Sequence, residues 1–302
     1  MGELSTLTAA SAARFLTVPD RGAHKYSRGV LGLRTGSTAY PGAAVLGAEA
    51  AWRTGIGLVQ FFPQLGDDEP AFGLPSPAAA VLAQRPETVV SHAPGRCDAW
   101  LIGSGTDGSS RAVAEQTALK ALMEGAAPIV IDAGALDLSI LRATGRCRTA
   151  PVVLTPHAGE FASIWEALGA RRPPADSTAA TELARSLDAT VLLKGSVTIA
   201  AAPDGSIFRV GPATPWLATA GTGDVLAGIL GALAASHAGA VREDPALLAE
   251  LGATAALIHD SAARIAAGDP RRTEYAAGRP ITALDVARTI PAAVEQLRES
   301  QI

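Results

Sequence analysis

Lysine is almost missing from this chain of 302 residues, which has three: Lys25, Lys120 and Lys194. With 25 Lys+Arg against 29 Asp+Glu the net charge is −4. There is no basic surplus of the kind that binds nucleic-acid phosphates, so no nucleic-acid partner is expected. Cysteine is scarce too. Cys97 and Cys147 are too few for a disulfide framework and lie near no clear histidine partner, so they read as bystanders in a reducing cytoplasm. The first 13 residues lack the basic and apolar regions of a signal peptide. The most apolar stretch, 225–241, follows Asp224, contains His237 and is built of Ala and Gly as much as Leu and Ile. It falls short of a span and reads as a buried core helix, so no membrane partner is expected. Aromatics make up only 4%. What is plentiful is small: 31 glycines, and alanine at about a fifth of the chain. With 48% hydrophobic content and this length, the chain is ample for a sizeable core.

Short apolar runs at 30–35, 58–62, 88–91, 99–103, 128–132, 152–155 and 191–194 alternate with helical patterns. The helical patterns lie at 42–54, 110–124, 160–168, 178–187, 222–235, 246–267 and 283–299. Runs 197–201 and 207–210, joined through Pro203, Asp204 and Gly205, read as a hairpin. This alternation predicts an α/β fold, a mainly parallel central sheet with helices on both faces. Segments 70–77 and 171–174 read as surface loops because the alternation continues across both. Residues 1–302 are therefore expected to form one domain.

Sheets of this kind bind ligands at the carboxyl ends of their strands, and the unusual residues of this sequence gather there. Gly36 and Gly42 bracket the first loop, leading into Ala43 and Ala44 at a helix start that favours anions. Gly103, Gly105 and Gly108 match G-x-G-x-x-G between a strand and a helix, with Asp132 at the next strand's end. Taken alone that announces a dinucleotide-binding dehydrogenase, yet the unit sits mid-chain and leaves the other loops unexplained. His157 and Glu160 follow Thr155 and Pro156. Glu160 reads either as a helix-start carboxylate or as a partner of Mg²⁺ beside phosphate, while the absence of a second His at ligand spacing argues against zinc. Lys194 ends an apolar run and opens the turn Lys194–Thr198, where a basic point charge suits a nucleotide phosphate. The last loop is Gly221, Thr222, Gly223 and Asp224 at the head of the apolar helix. Its amides form an anion hole, and Asp224 stands beside it to take a proton. Neither a P-loop nor a G-x-S-x-G elbow occurs.

The Gly221–Asp224 segment resembles the ribokinase-like superfamily. Taken with residues 24–29, 40–44, 53–57, 155–160 and 218–228, it is similar to the ADP-dependent (S)-NAD(P)H-hydrate dehydratases, in order from His24 to Ala235. The resemblance implies a ribokinase-like fold. It also implies ADP-dependent dehydration of the S epimer of hydrated NADH or NADPH, releasing AMP and phosphate. On that basis Ala43, Gly105, His157 and Asp224 contact the hydrated nucleotide, with Asp224 catalytic. Lys194, Gly195, Ser196, Val197, Thr198 and Gly223, together with Gly221 and Thr222, hold the adenine nucleotide. Glu160 has an Mg²⁺-linked role. The resemblance further implies a homo-oligomer, a tetramer as in the family, and a separate epimerase, because it begins too near the N-terminus to leave room for an epimerase domain. The sequence departs from the family at Ser104, where Pro is common, and at Thr214-Pro215-Trp216, in place of Asn-Pro-Gly. Three other functions stay open at this point. They are an ATP-dependent kinase of a small alcohol or vitamin precursor, a dehydrogenase built on residues 103–108, and a nucleotide sensor that consumes nothing.

Overall fold

The computed structural model describes residues 4–67, 70, 73–92, 95–145, 149–269 and 278–300. In chain order its elements are β1 (Leu4–Thr6), α1 (Ala9–Ala13), β2 (Val30–Arg34), α2 (Pro41–Thr54), β3 (Leu58–Phe61), α3 (Pro77–Gln84) and β4 (Val89–Val90). Next come β5 (Ala99–Ile102), α4 (Val113–Met123), β6 (Ile129–Ile131), α5 (Ser139–Ala143), β7 (Val152–Leu154), α6 (Ala158–Ala167) and α7 (Ser177–Leu187). The chain ends with β8 (Thr190–Leu193), β9 (Thr198–Ala201), β10 (Ile207–Val210), α8 (Thr222–Ser236), α9 (Ala238–Glu243), α10 (Leu247–Ala267) and α11 (Ala283–Glu299).

The strands join in one sheet, ordered β1-β10-β9-β8-β7-β6-β5-β2-β3-β4. Only β9 runs against the rest among the described residues, antiparallel to β8 on one side and β10 on the other. Successive strand side chains point to opposite faces, and the two cores divide accordingly. Leu101, Val130, Val153, Leu192 and Ala200 enter one core with α2, α8, α10 and α11. Trp100, Ile102, Ile131, Leu154 and Leu193 enter the other with α4, α6 and α7. Both faces of the central strands are therefore apolar, which is why these strands read as unbroken hydrophobic runs.

The expected α/β architecture and the hairpin are present; β1, α1, α3, α5 and α9 were not anticipated. β1 is an exposed three-residue edge strand, and α1 and α5 span five residues each, too few to display a period. The start of α3 was marked locally: Ser76 accepts from the Ala79 amide and Pro77 occupies the first turn. The apolar run 225–241 is not one helix: α8 is buried along most of its length but ends at Ser236, and after His237 the remainder enters α9. The small residues of α8 have a packing reason. A Cβ at Gly228 would sit 2.4 Å from the Gly47 carbonyl oxygen, so α2 and α8 cross backbone against backbone. Among the described residues no helix is long and apolar enough to cross a membrane.

Candidate active site

The strand order reverses between β5 and β2: β3 and β4 extend outward from β2, while β6, β7 and β8 extend from β5. Such a switch point opens a crevice above the strand ends. Here the two flanking loops are tied together, the Gly36 amide donating to the Ser104 carbonyl at 2.7 Å and the Gly103 amide to Arg34 at 3.2 Å. Gly105 sits at φ +66°, and a Cβ there would lie 2.3 Å from the Cβ of Ala43. The structure thus presses Ala43 and Gly105 together. The glycines of this loop do not open α4, which starts at Val113 with Ala112 as its N-cap.

Asp224 approaches the same place from the first turn of α8. Gly221 is the N-cap at φ +86° and supplies no side-chain cap, which leaves the Gly223 and Asp224 amides facing outward. The hole is narrower than the sequence suggests, because the Thr222 amide donates to the Thr219 carbonyl at 3.3 Å. Burial pushes the Asp224 carboxyl up to about 6; the negative charge of Asp132 adds to this and Lys194 opposes it.

Lys194 follows β8 with its side chain mostly buried and its Nζ donating to Asp132 Oδ1 at 2.9 Å. Glu160 Oε2 lies 3.9 Å from the same nitrogen. Burial works against the ammonium, but the charges of Asp132 and Glu160 hold its pKa above the usual lysine range. Asp132 itself is 2% exposed. It also accepts from Ser104 Oγ at 2.9 Å and from Thr155 Oγ1 at 2.6 Å. A carboxylate this buried and already accepting from three side chains is turned inward rather than toward a ribose, so the dinucleotide reading of residues 103–108 loses its acidic partner.

His157 is the N-cap of α6: its Nδ1 accepts from the Gly159 and Glu160 amides, and Glu160 Oε2 accepts from the His157 amide at 2.8 Å. The pair forms a reciprocal cap, and its exposed imidazole faces the strand-end side. The two residues at the head of α6 are therefore fixed by each other.

Between the β8–β9 turn and α8 lies a cavity of about 410 Å³. Its walls are His157, Lys194, Gly195, Ser196 and Thr198, residues 213–215, Leu217 and Ala218, Thr222, Gly223 and, from α10, His259. Val197, expected here, packs instead against the far core. His259 lies in the C-terminal helical stretch, where the sequence offered no readable chemistry. Burial drives its imidazole down to about 4, against a small opposing effect of its bond to the Thr222 backbone. Its Nε2 and the Thr214 Oγ1 are buried without a hydrogen-bond partner among the described residues. Asp260 Oδ1 accepts the Thr214 amide at 2.8 Å and its carboxylate pairs with Arg264, so α10 fixes the replaced Thr214-Pro215-Trp216 segment.

A second space of about 340 Å³ lies beyond Tyr40, formed by residues 37–40, 64–67 and 107–112. A third, of about 380 Å³, sits at the opposite ends of the strands beside Arg28 and Leu233, away from all five loops. Burial pushes the Cys97 thiol up to about 12, which leaves it protonated and unreactive; Cys147 lies outside the described residues. No group of three or more His, Cys, Asp or Glu among the described residues is arranged to hold a metal.

A family model described as NAD(P)H-hydrate dehydratase matches residues 31–283. The bifunctional NAD(P)H-hydrate repair enzyme Nnr of Mycobacterium leprae is 38% identical over 276 residues, 87% of this chain and 51% of that one. The chain thus spans about half the length of this relative. The ADP-dependent (S)-NAD(P)H-hydrate dehydratase of Xanthomonas campestris is 34% identical over 239 residues, 76% of this chain and 80% of that one. Among solved structures, the ADP/ATP-dependent NAD(P)H-hydrate dehydratase of Bacillus subtilis, co-crystallised with ATP/Mg²⁺, superposes with a TM-score of 0.76 at 26% identity. That match covers 97% of this chain and 99% of that one.

Proposed function

Because the chain belongs to the NAD(P)H-hydrate dehydratase family, we propose that it converts the S epimer of hydrated NADH or NADPH back to the reduced nucleotide, with ADP consumed to AMP and phosphate. The observation that carries this reading is one juxtaposition. Asp224, with a carboxyl raised to about 6, stands at an uncapped helix start between the Ala43–Gly105 crevice and the Lys194-lined cavity.

A ring hydroxyl is a poor leaving group, and phosphorylation makes it a good one. In this reading Asp224 accepts the hydroxyl proton as the oxygen bonds to the β-phosphorus of ADP and the bond to the bridging oxygen breaks, releasing AMP. The Gly223 and Asp224 amides and the Lys194 ammonium steady the charge on the transferring group. The ring nitrogen's electron pair then expels phosphate from the adjacent carbon, and loss of a proton from the next carbon restores the double bond. His157 orients the ring, and Ala43 and Gly105 contact it through a surface with little side chain in the way. Gly195, Ser196 and Thr198 line the nucleotide side of the cavity with Lys194.

Mg²⁺ fits as an ion carried on nucleotide phosphates rather than in a protein cage. Asp132 is committed to three donors, which leaves Glu160, partly exposed beside Lys194, as the carboxylate that would hold it directly or through water. When bound, it would offset phosphate charge. The same reading places the chain in the cytoplasm as a homo-oligomer, a tetramer as in the family, and calls for an epimerase to supply the S epimer.

The test mixes the protein, Mg²⁺ and hydrated NADH with either ADP or ATP. Recovery of NADH absorbance with one AMP formed per NADH from ADP is the expected result. A stable phosphorylated product from ATP alone would make the chain a kinase. No recovery with either nucleotide ends the proposal.

A further inference from the structure

Three loops that are far apart in sequence end on one buried carboxylate. Ser104 follows β5, Thr155 follows β7 and Lys194 follows β8, and each donates to Asp132 just past β6. We propose that Asp132 is a positioning residue: it holds the Lys194 ammonium at the mouth of the anion hole and places a fixed negative charge beside Asp224. This rests on the proposed function only in taking Asp224 as the proton acceptor and Lys194 as a phosphate contact.

The arrangement supports this on three counts. A lysine has three donors on a flexible stem and no preferred direction of its own. Here one donor is spent on Asp132, and the nitrogen is left within 3.7 Å of where a Cβ on Gly223 would stand. Ser104 and Thr155 fix the carboxylate in turn, so Lys194 is aimed by a chain of buried contacts. The charges facing Asp224 are few: Asp132 and Lys194 act on it directly, Glu160 acts on Lys194, and the buried His259 is neutral near pH 7. Asp132 is therefore the lever on both partners. Ser104, one of the two departures from the family pattern, is part of this assembly.

The experiment compares wild type with Asp132→Asn, which keeps the size and an acceptor oxygen but removes the charge. Two readouts are independent of dehydration: ADP affinity by calorimetry, and the titration of the Asp224 side-chain carbon by NMR. The expected results are ADP binding weakened by about 10-fold, as for loss of one charge-assisted contact, and an Asp224 midpoint that falls below about 6 while burial still holds it above the ordinary carboxylate range. Lys194→Met covers the case in which the first variant does not fold. It leaves the Asp132 charge unopposed, so the Asp224 midpoint should rise. A variant that loses thermal stability while both readouts hold would show a purely structural role and overturn the proposal, as would an unmoved midpoint in Lys194→Met. Both readouts shifting as described in a protein that never dehydrates its substrate would sustain Asp132 and refute the function instead.

Discussion

Asp224 carries a cost alongside the role proposed for it. Its carboxyl titrates near 6 in the folded chain against 3.8 as an ordinary side chain. A raised carboxyl binds its proton more tightly when folded, so the associated stability is fully present below about pH 4 and is lost as pH rises through about 6. At pH 8 the ionised group costs about 3 kcal/mol. Asp224→Asn should therefore melt higher than wild type at pH 8 and no higher at pH 4, as thermal melts at the two values will show. Its turnover should fall by about 10³-fold with ADP affinity retained. In the wild type, kcat should decline below pH 6 as the base is protonated, which a pH–rate profile measures. An equal stability gain at both pH values would mean that the carboxyl is not perturbed.

At the scale of elements, the glycines separate into those that shape the site and those that pack the core. Gly105→Ala combines a left-handed backbone with a Cβ at 2.3 Å from Ala43. It should cost about 1–3 kcal/mol of stability and raise KM for the hydrated nucleotide while KM for ADP stays unchanged. Steady-state kinetics with each substrate varied in turn will separate the two effects. The glycine loops and the long strands were legible because strand periodicity and loop composition are local signals. The Asp132 assembly was not, because its partners lie 23, 28 and 62 residues away and only register brings them together. His259 was hidden for the same reason: one histidine on an alanine-rich helix shows no sign of which cavity its helix will wall. In the reverse direction, Glu160 was read both as a helix-start carboxylate and for ligand chemistry, and the structure adds that His157 and Glu160 cap each other.

Across the whole molecule two buried groups set opposing responses to pH. His259 titrates near 4 when folded against 6.5 as an ordinary side chain, so its contribution to stability is present above 6.5 and is lost as pH falls toward 4. Asp224 has the opposite sign over nearly the same interval. Each spans about 3 kcal/mol, and between pH 4 and 6 their slopes largely cancel. His259→Gln should expose the Asp224 term, with stability falling as pH rises through this window. Asp224→Asn should expose the His259 term, with stability rising. Urea titrations at half-unit steps distinguish these outcomes, and parallel curves for the two variants would refute the assignment.

The crossing of α2 over α8 has a consequence for motion. Gly47 and Gly228 bring the two backbones together with only the Ala50 methyl beside them. Ala43 lies at the head of one helix and Asp224 at the head of the other. Helices that meet this closely have little soft layer in which to slide, so the separation of Ala43 and Asp224, the proposed ring contact and the proposed base, is built into the frame. In the proposed function, the two helices would act as the anvil beneath the nucleotides, and adjustment to them would fall to the loops.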